Sequence, residues 1–215
     1  MDAALVGVAA YAAIQELLRR PAMHIFGEDV ECGGTPCWRA CLVLFPQLVA
    51  LPLATVIAVT GRPSWRQLGE RAAIYIFQAF LIIDIMYNWI MYPKPVLRRL
   101  MVIHHVVCVF GHLYGTSMCP KLSVPYFLCA TCVLEIGSGS CNIFHIWRYT
   151  EHEPIAYWTY AVVMTLSNAG ATYIPVEWNR RAREGGAHWL GRWVPMALWS
   201  ALIYMRQVEV IDPVA

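Results

Sequence analysis

Two adjacent histidines lie inside an apolar stretch of the chain. They are His104 and His105, in the segment MVIHHVVCVFGHLYG at residues 101–115. An ionisable group in a membrane helix costs at least about 2.5 kcal/mol on insertion scales, so such a group faces a partner or a cavity. A neutral imidazole in these surroundings is suited to accept a proton from an amine or a hydroxyl group. We therefore predict that this pair takes part in acid–base chemistry.

An aspartate interrupts the preceding apolar stretch, FLIIDIMYNWIMY at residues 80–92. Asp84 is followed one turn later by Asn88, so both side chains belong to the same face of a helix. A carboxylate that contacts an imidazole can fix its tautomer and its orientation. Asp84 is therefore one candidate for the group that orients a histidine of the pair.

A stripe of polar residues runs along a third apolar segment, TCVLEIGSGSCNIFHIW at residues 131–147. Its members follow one another at steps of 4, 3, 4 and 3: Thr131, Glu135, Ser138, Asn142 and His145. In a membrane such a stripe turns toward the other helices and away from lipid. Asn168 extends the pattern into the next apolar segment. We predict that Asp84, His105, Glu135 and Asn142 face one another inside a bundle.

Close packing is the competing interpretation for part of this pattern. Thr131, Ser138 and their neighbouring glycines are also the small residues that let membrane helices approach one another. His112 and His145 are placed near the ends of their predicted helices, where an interfacial position would account for them. The pair Cys129 and Cys132 has a redox spacing but lies in an apolar helix, so we interpret both as structural.

The composition points to a membrane protein. The chain has 215 residues, of which 59% are hydrophobic and 14% are charged, and its mean hydropathy is +0.49. Soluble domains are roughly a quarter charged. The net charge is only +2, and the scattered Lys and Arg residues do not form the basic stripe that nucleic acid requires. We predict one all-α polytopic membrane domain over 1–215, with no nucleic acid partner.

Seven apolar stretches approach the length of a transmembrane helix. The predicted helices are 3–18, 40–60, 72–92, 100–118, 122–147, 155–176 and 189–205. Because the first and the last are the weakest candidates, the prediction is a bundle of six or seven spans around an internal polar or lipid cavity. The arginines that follow the first helix favour an outside N-terminus. That orientation would keep Cys32 and Cys37 in the cytosol and reduced.

Three pieces of the sequence together resemble the TLC-domain proteins, a family that includes the ceramide synthases. The pieces are LIIDIMYNW, RRLMVIHHVVCVFG and LEIGSGSCNIF, and the resemblance covers about 38–206, after an N-terminal helix and polar loop at 1–37. It implies a lipid-handling protein of the endoplasmic reticulum or another endomembrane, with the plasma membrane as the alternative. In the ceramide synthase branch it implies transfer of a fatty acyl group from acyl-CoA to a long-chain base.

The chain also departs from the ceramide synthase pattern. The histidine pair of that branch corresponds to His104 and His105, but its two later acidic residues and their preceding histidine are absent. The matching stretch, KLSVPYFLCATCVLEIG, supplies only Glu135. The chain therefore looks more like the smaller TLC-domain members, which are usually described as regulators of membrane lipids.

Two classes of function follow from these residues. As an N-acyltransferase, the protein would use His105 as the base, His104 as a proton donor or oxyanion stabiliser, and Asp84 or Glu135 as the orienting group. Acyl-CoA would be a co-substrate, with no tightly bound cofactor. The alternative is a lipid sensor, carrier or regulator without enzymatic activity.

Several further expectations concern ligands and partners. The candidate lipid-binding residues are Asn88, Ser138, Asn142 and Asn168. No metal site is expected, because the remaining histidines are too scattered for the several spaced boxes that an iron oxidase needs. Membrane lipids are the expected partners, and a homodimer is left open.

Overall fold

The computed structural model describes residues 3–28, 30–32, 35–87, 96–117, 121, 124–148 and 150–211. Within these ranges the fold is all-α, as the composition predicts. The helices are α1 (Ala3–Phe26), α2 (Cys37–Thr60), α3 (Pro63–Met86), α4 (Val96–Ser117), α5 (Val124–Trp147), α6 (Glu153–Glu184) and α7 (Trp189–Ile211). Each of the seven predicted apolar stretches lies mainly in one of them.

The helix ends differ from the prediction where charged residues continue a helix. α3 begins at Pro63 and not at residue 72, because proline at the first position has a backbone already suited to a helix. α2 begins at Cys37 and α7 continues to Ile211. Both extensions bring an arginine, Arg39 and Arg206, from a predicted loop into a helix.

A small hairpin precedes α2. Its strands, Glu31–Cys32 and Thr35–Pro36, pair antiparallel. Cys32 forms a disulfide with Cys37, and their Cα atoms are 5.0 Å apart. The prediction that these two cysteines are reduced is therefore wrong, because the tight hairpin places the residue after the second strand beside the end of the first.

The helices pack around two main apolar clusters. α2 lies against α3 and α5, α6 lies between α5 and α7, and α1 covers α2 and α3. The first cluster joins α2, α3 and α5 through residues that include Leu51, Phe77 and Leu128. The second joins α5, α6 and α7 through Phe127, Trp178 and Trp199.

Two of the described helices, α2 and α5, are long and apolar enough to cross a membrane. A helix of this length and composition also occurs as the buried core helix of a soluble protein. The described part of the chain thus contains two candidate membrane spans.

Gly69 marks the closest approach of α3 to α2. A Cβ atom at this position would lie 2.8 Å from the carbonyl oxygen of Ala54 and 2.9 Å from the Cα of Ala58. Since both are backbone atoms, we expect Gly69→Ala to destabilise the protein by about 1–3 kcal/mol. Thermal unfolding in detergent measures this change.

Gly111 in α4 is the matched control, because a Cβ atom there meets nothing within 4 Å. Gly111→Ala should leave stability unchanged or raise it by up to about 1 kcal/mol, as expected for a glycine inside a helix. Equal effects of the two substitutions would contradict the close contact between α2 and α3.

Candidate active site

A carboxylate and an imidazole meet between α3 and α4. Asp84 lies near the C-terminal end of α3, and its Oδ2 is 2.9 Å from Nδ1 of His105 in α4. The side chain of Asp84 is 13% exposed and that of His105 is 8% exposed. The Nδ1–H is not aligned for a hydrogen bond with the carboxylate, so the contact is electrostatic. A carboxylate this close favours a proton on Nδ1, which leaves the lone pair on Nε2, and such an arrangement can orient a general base.

The same carboxylate also binds an arginine. Arg39, in the first turn of α2, forms an ion pair with Oδ1 of Asp84. Its guanidinium carbon lies 4.7 Å from the centre of the Tyr87 ring, which is a cation–π distance. Asp84 is thus shared by a guanidinium and an imidazole, one at each oxygen.

A small cavity adjoins the Arg39–Asp84 pair. Its volume is about 10 Å³, which is about the space that one water molecule needs. Tyr11 and Gln15 of α1 line one side of it, and the amide of Gln15 donates a hydrogen bond of 2.7 Å to the Tyr11 hydroxyl. α1 therefore closes this side of the site against bulk water.

His104 lies beside His105 but on another face of α4. The centres of the two rings are 5.3 Å apart. Nε2 of His104 is 3.6 Å from the sulfur of Cys108, one turn further along the helix. The structure therefore places His104 next to the proposed base, with a thiol as its polar neighbour.

Glu135 belongs to a second polar group, between α2 and α5. Gln47 donates a hydrogen bond of 2.8 Å to Oε2 of Glu135, and its own carbonyl accepts one of 2.9 Å from Asn142. Gln47 lies in a π-helical turn, Pro46–Ala50, that interrupts α2. Turns of this kind are frequent at functional sites. Glu135 is within electrostatic range of Asp84, His105 and Arg206.

Arg206 anchors a third polar group, where α7 meets α5 and α6. Its guanidinium donates hydrogen bonds of 3.1 Å to Oδ1 of Asn168, 2.8 Å to the hydroxyl of Ser138 and 2.8 Å to the carbonyl of Leu134. The amide of Asn168 donates in turn to Gln207. The side chains of Ser138 and Asn168 thus form hydrogen bonds between helices, where α7 meets α5 and α6.

The predicted site residues are distributed over the three polar groups described above. The structure brings Asp84 into contact with His105, and it joins Glu135 to Asn142 through Gln47. Ser138 and Asn168 meet at Arg206. Asn88 lies outside the described residues.

Three further residues of the site were missed by the sequence prediction. Arg39 and Arg206 were assigned to loops, and Gln47 was read as part of an apolar span. A weak signal was available for Gln47, since a single amide in such a span needs an internal partner. Among the described residues no group of three or more His, Cys, Asp or Glu side chains could hold a metal ion.

Comparison with protein-family models, with curated proteins and with solved structures finds no match for this chain.

Proposed function

We propose that the chain is a polytopic membrane protein in which all seven helices cross the bilayer. The distribution of side chains supports this, because polar groups lie inside and large apolar ones outside. Arg206 is 8% exposed, whereas Leu166 in α6 is 67% exposed and Leu17 in α1 is 75% exposed. Water would penalise this arrangement, but hydrocarbon favours it.

The end of α6 supports the same assignment. This helix has 32 residues, and its last turns carry exposed ion pairs of Arg180 with Glu177 and Glu184. A helix needs only about 20 residues to cross the hydrocarbon core. By length, α6 can therefore cross the hydrocarbon core while its charged end reaches the aqueous phase.

The disulfide supports an orientation opposite to the one predicted from the first helix. Disulfides persist in oxidising compartments and are rare in the cytosol. We therefore place the hairpin with Cys32 and Cys37 on the lumenal or external side. With seven spans, the N-terminus is then cytosolic and the C-terminus lies on the same side as the hairpin.

Glycosylation of a terminal tag tests this orientation. We expect a C-terminal tag carrying an Asn-x-Ser/Thr sequon on a long spacer to be glycosylated in the endoplasmic reticulum. The same tag at the N-terminus should remain unmodified. Glycosylation of both tags would mean that α1 does not span, and an unmodified C-terminal tag would contradict the orientation.

We propose further that the protein transfers an acyl group from acyl-CoA to an amine or hydroxyl of a lipid, such as a long-chain base. The observation that supports this most is the buried contact of 2.9 Å between Asp84 and Nδ1 of His105. The resemblance to TLC-domain proteins suggests the substrate class and an endomembrane location.

In the proposed reaction, His105 acts first as a general base and then as the acid that protonates the leaving group. Nε2 of His105 takes a proton from the attacking amine as the amine nitrogen forms a bond to the thioester carbonyl carbon. Asp84 stabilises the imidazolium that forms, and His104 is placed to stabilise the oxyanion. When the carbon–sulfur bond breaks, His105 gives the proton to the CoA thiolate. The products are an amide and free CoA.

Mass spectrometry of lipids tests the proposed function. Membranes from cells that produce the protein should contain an N-acyl or O-acyl lipid that is absent with His105→Ala. The lipids that co-purify with the protein in detergent should include the acceptor or the product. Identical lipid profiles for both proteins, with one lipid retained by each, would instead support a lipid sensor or carrier.

A further inference from the structure

We propose that Arg39 is the positioning residue of the Asp84–His105 pair, an inference that rests on the proposed function. Arg39 binds Oδ1 of Asp84, while Oδ2 of the same carboxylate lies 2.9 Å from Nδ1 of His105. The same nitrogen of Arg39, Nη2, also donates to the backbone carbonyl of Asp84, at 3.4 Å. The guanidinium therefore holds both the carboxylate and the end of α3 that carries it.

Arg39 is itself held from three directions. The preceding residue, Trp38, is 1% exposed and packs edge-on against Tyr87 at 6.4 Å between ring centres. Tyr87 also lies under the guanidinium. Before Trp38, the disulfide from Cys37 to Cys32 closes the hairpin. The guanidinium is thus presented to Asp84 by a rigid first turn of α2.

The backbone at Cys37 adds to this rigidity. Its N–H donates a hydrogen bond of 2.8 Å to the carbonyl of Val30. The first N–H groups of a helix have no partner within the helix, and α2 has no side-chain cap. The hairpin therefore takes the place of a cap for the turn that contains Arg39.

The chemical consequence concerns which nitrogen of His105 carries the proton. An aspartate that binds His105 alone can rotate about its carboxylate and offer either oxygen. With one oxygen bound by Arg39, the other stays directed at Nδ1, so Nδ1 remains protonated and Nε2 remains the base. The positive guanidinium also balances the charge of the carboxylate beside His105.

Nitrogen-15 NMR of histidine-labelled full-length protein tests this role. The chain has seven histidines, and His105→Gln identifies the His105 signals by their loss. We expect wild-type His105 to be neutral with its proton on Nδ1, and Arg39→Lys to retain that state. In Arg39→Gln the Nδ1-protonated, neutral form should no longer predominate. Unchanged His105 signals in Arg39→Gln would overturn the proposal.

Kinetics supply a second readout. We expect Arg39→Gln to lower kcat about 10²-fold, as small misplacements of catalytic groups do, with KM little changed. Arg39→Lys should recover part of this loss, because an ammonium keeps the charge but lacks the planar fork. The exposed Arg180→Gln is the matched control and should resemble wild type.

The NMR and kinetic measurements distinguish failure of the proposed acyl transfer from failure of the positioning role of Arg39. If the wild-type protein makes no product, the proposed function fails, while the NMR signals still decide whether Arg39 sets the state of His105. If Arg39→Gln does not fold, Arg39→Met, a second neutral substitution, decides. A wild-type kcat in that variant would overturn the positioning role.

Discussion

We expect replacement of His105 by glutamine to lower the rate of acyl transfer by about 10²- to 10⁴-fold, the usual contribution of a general base. Glutamine is close to histidine in size and can still meet the Asp84 carboxylate, but it cannot accept a proton at neutral pH. The loss should therefore appear in kcat. Steady-state kinetics of the purified protein measure it, with thermal unfolding as the check on folding.

His112 offers a matched control on the same helix. Its side chain is 1% exposed, and its ring lies 4.7 Å from that of Phe77 and 5.4 Å from that of Phe127, between ring centres. Among the described residues, neither of its ring nitrogens has a hydrogen-bond partner. His112→Leu should therefore retain most activity. A loss equal to that of His105→Gln would show that the effect is one of packing and contradict the assignment.

We expect Asp84→Leu to destabilise the protein by about 3–5 kcal/mol, which is typical when one partner of a buried ion pair is removed. The substitution leaves the guanidinium of Arg39 buried without this carboxylate. Unfolding of the purified protein in mixed micelles measures the change. The cost should be larger than that of any exposed ion pair, such as Arg180 with Glu184.

The double variant Arg39→Met/Asp84→Leu completes the cycle. Because apolar residues of similar size often replace a buried ion pair without loss, we expect the double variant to be within about 1 kcal/mol of the wild type or more stable. It should nevertheless lack activity. Additive losses from the two single substitutions would mean that Arg39 and Asp84 do not act as a pair.

The number of helices could be predicted from the sequence, because each apolar stretch is long and bounded by proline, glycine or charged residues. The helix ends could not be predicted as well. A charged residue next to an apolar stretch reads as a loop residue, yet Arg39 and Arg206 continue α2 and α7. Their charges are satisfied by other helices, and a pattern within one helix does not contain that information.

The sequence predicts which polar residues share a helix face better than it predicts which residues of other helices they contact. Helical spacing alone places Glu135 and Asn142 on one face, and the structure joins them through Gln47. Gln47 lies in the π-helical turn at Pro46–Ala50, and the pattern of apolar residues in that segment does not predict such a turn. Similarly, the contact of Asp84 with His105 depends on how α3 and α4 pack, which spacing within either helix does not determine.

Acyl transfer by the purified, reconstituted protein is the measurement that tests the central claim most directly. The protein in lipid vesicles is incubated with isotope-labelled acyl-CoA and a long-chain base, and the products are identified by mass spectrometry. We predict a labelled N-acyl or O-acyl lipid and an equal amount of free CoA, both lost with His105→Gln. An intact thioester in the wild-type reaction, together with a lipid bound in stoichiometric amount, would contradict catalysis and identify the buried polar groups as a lipid-binding site.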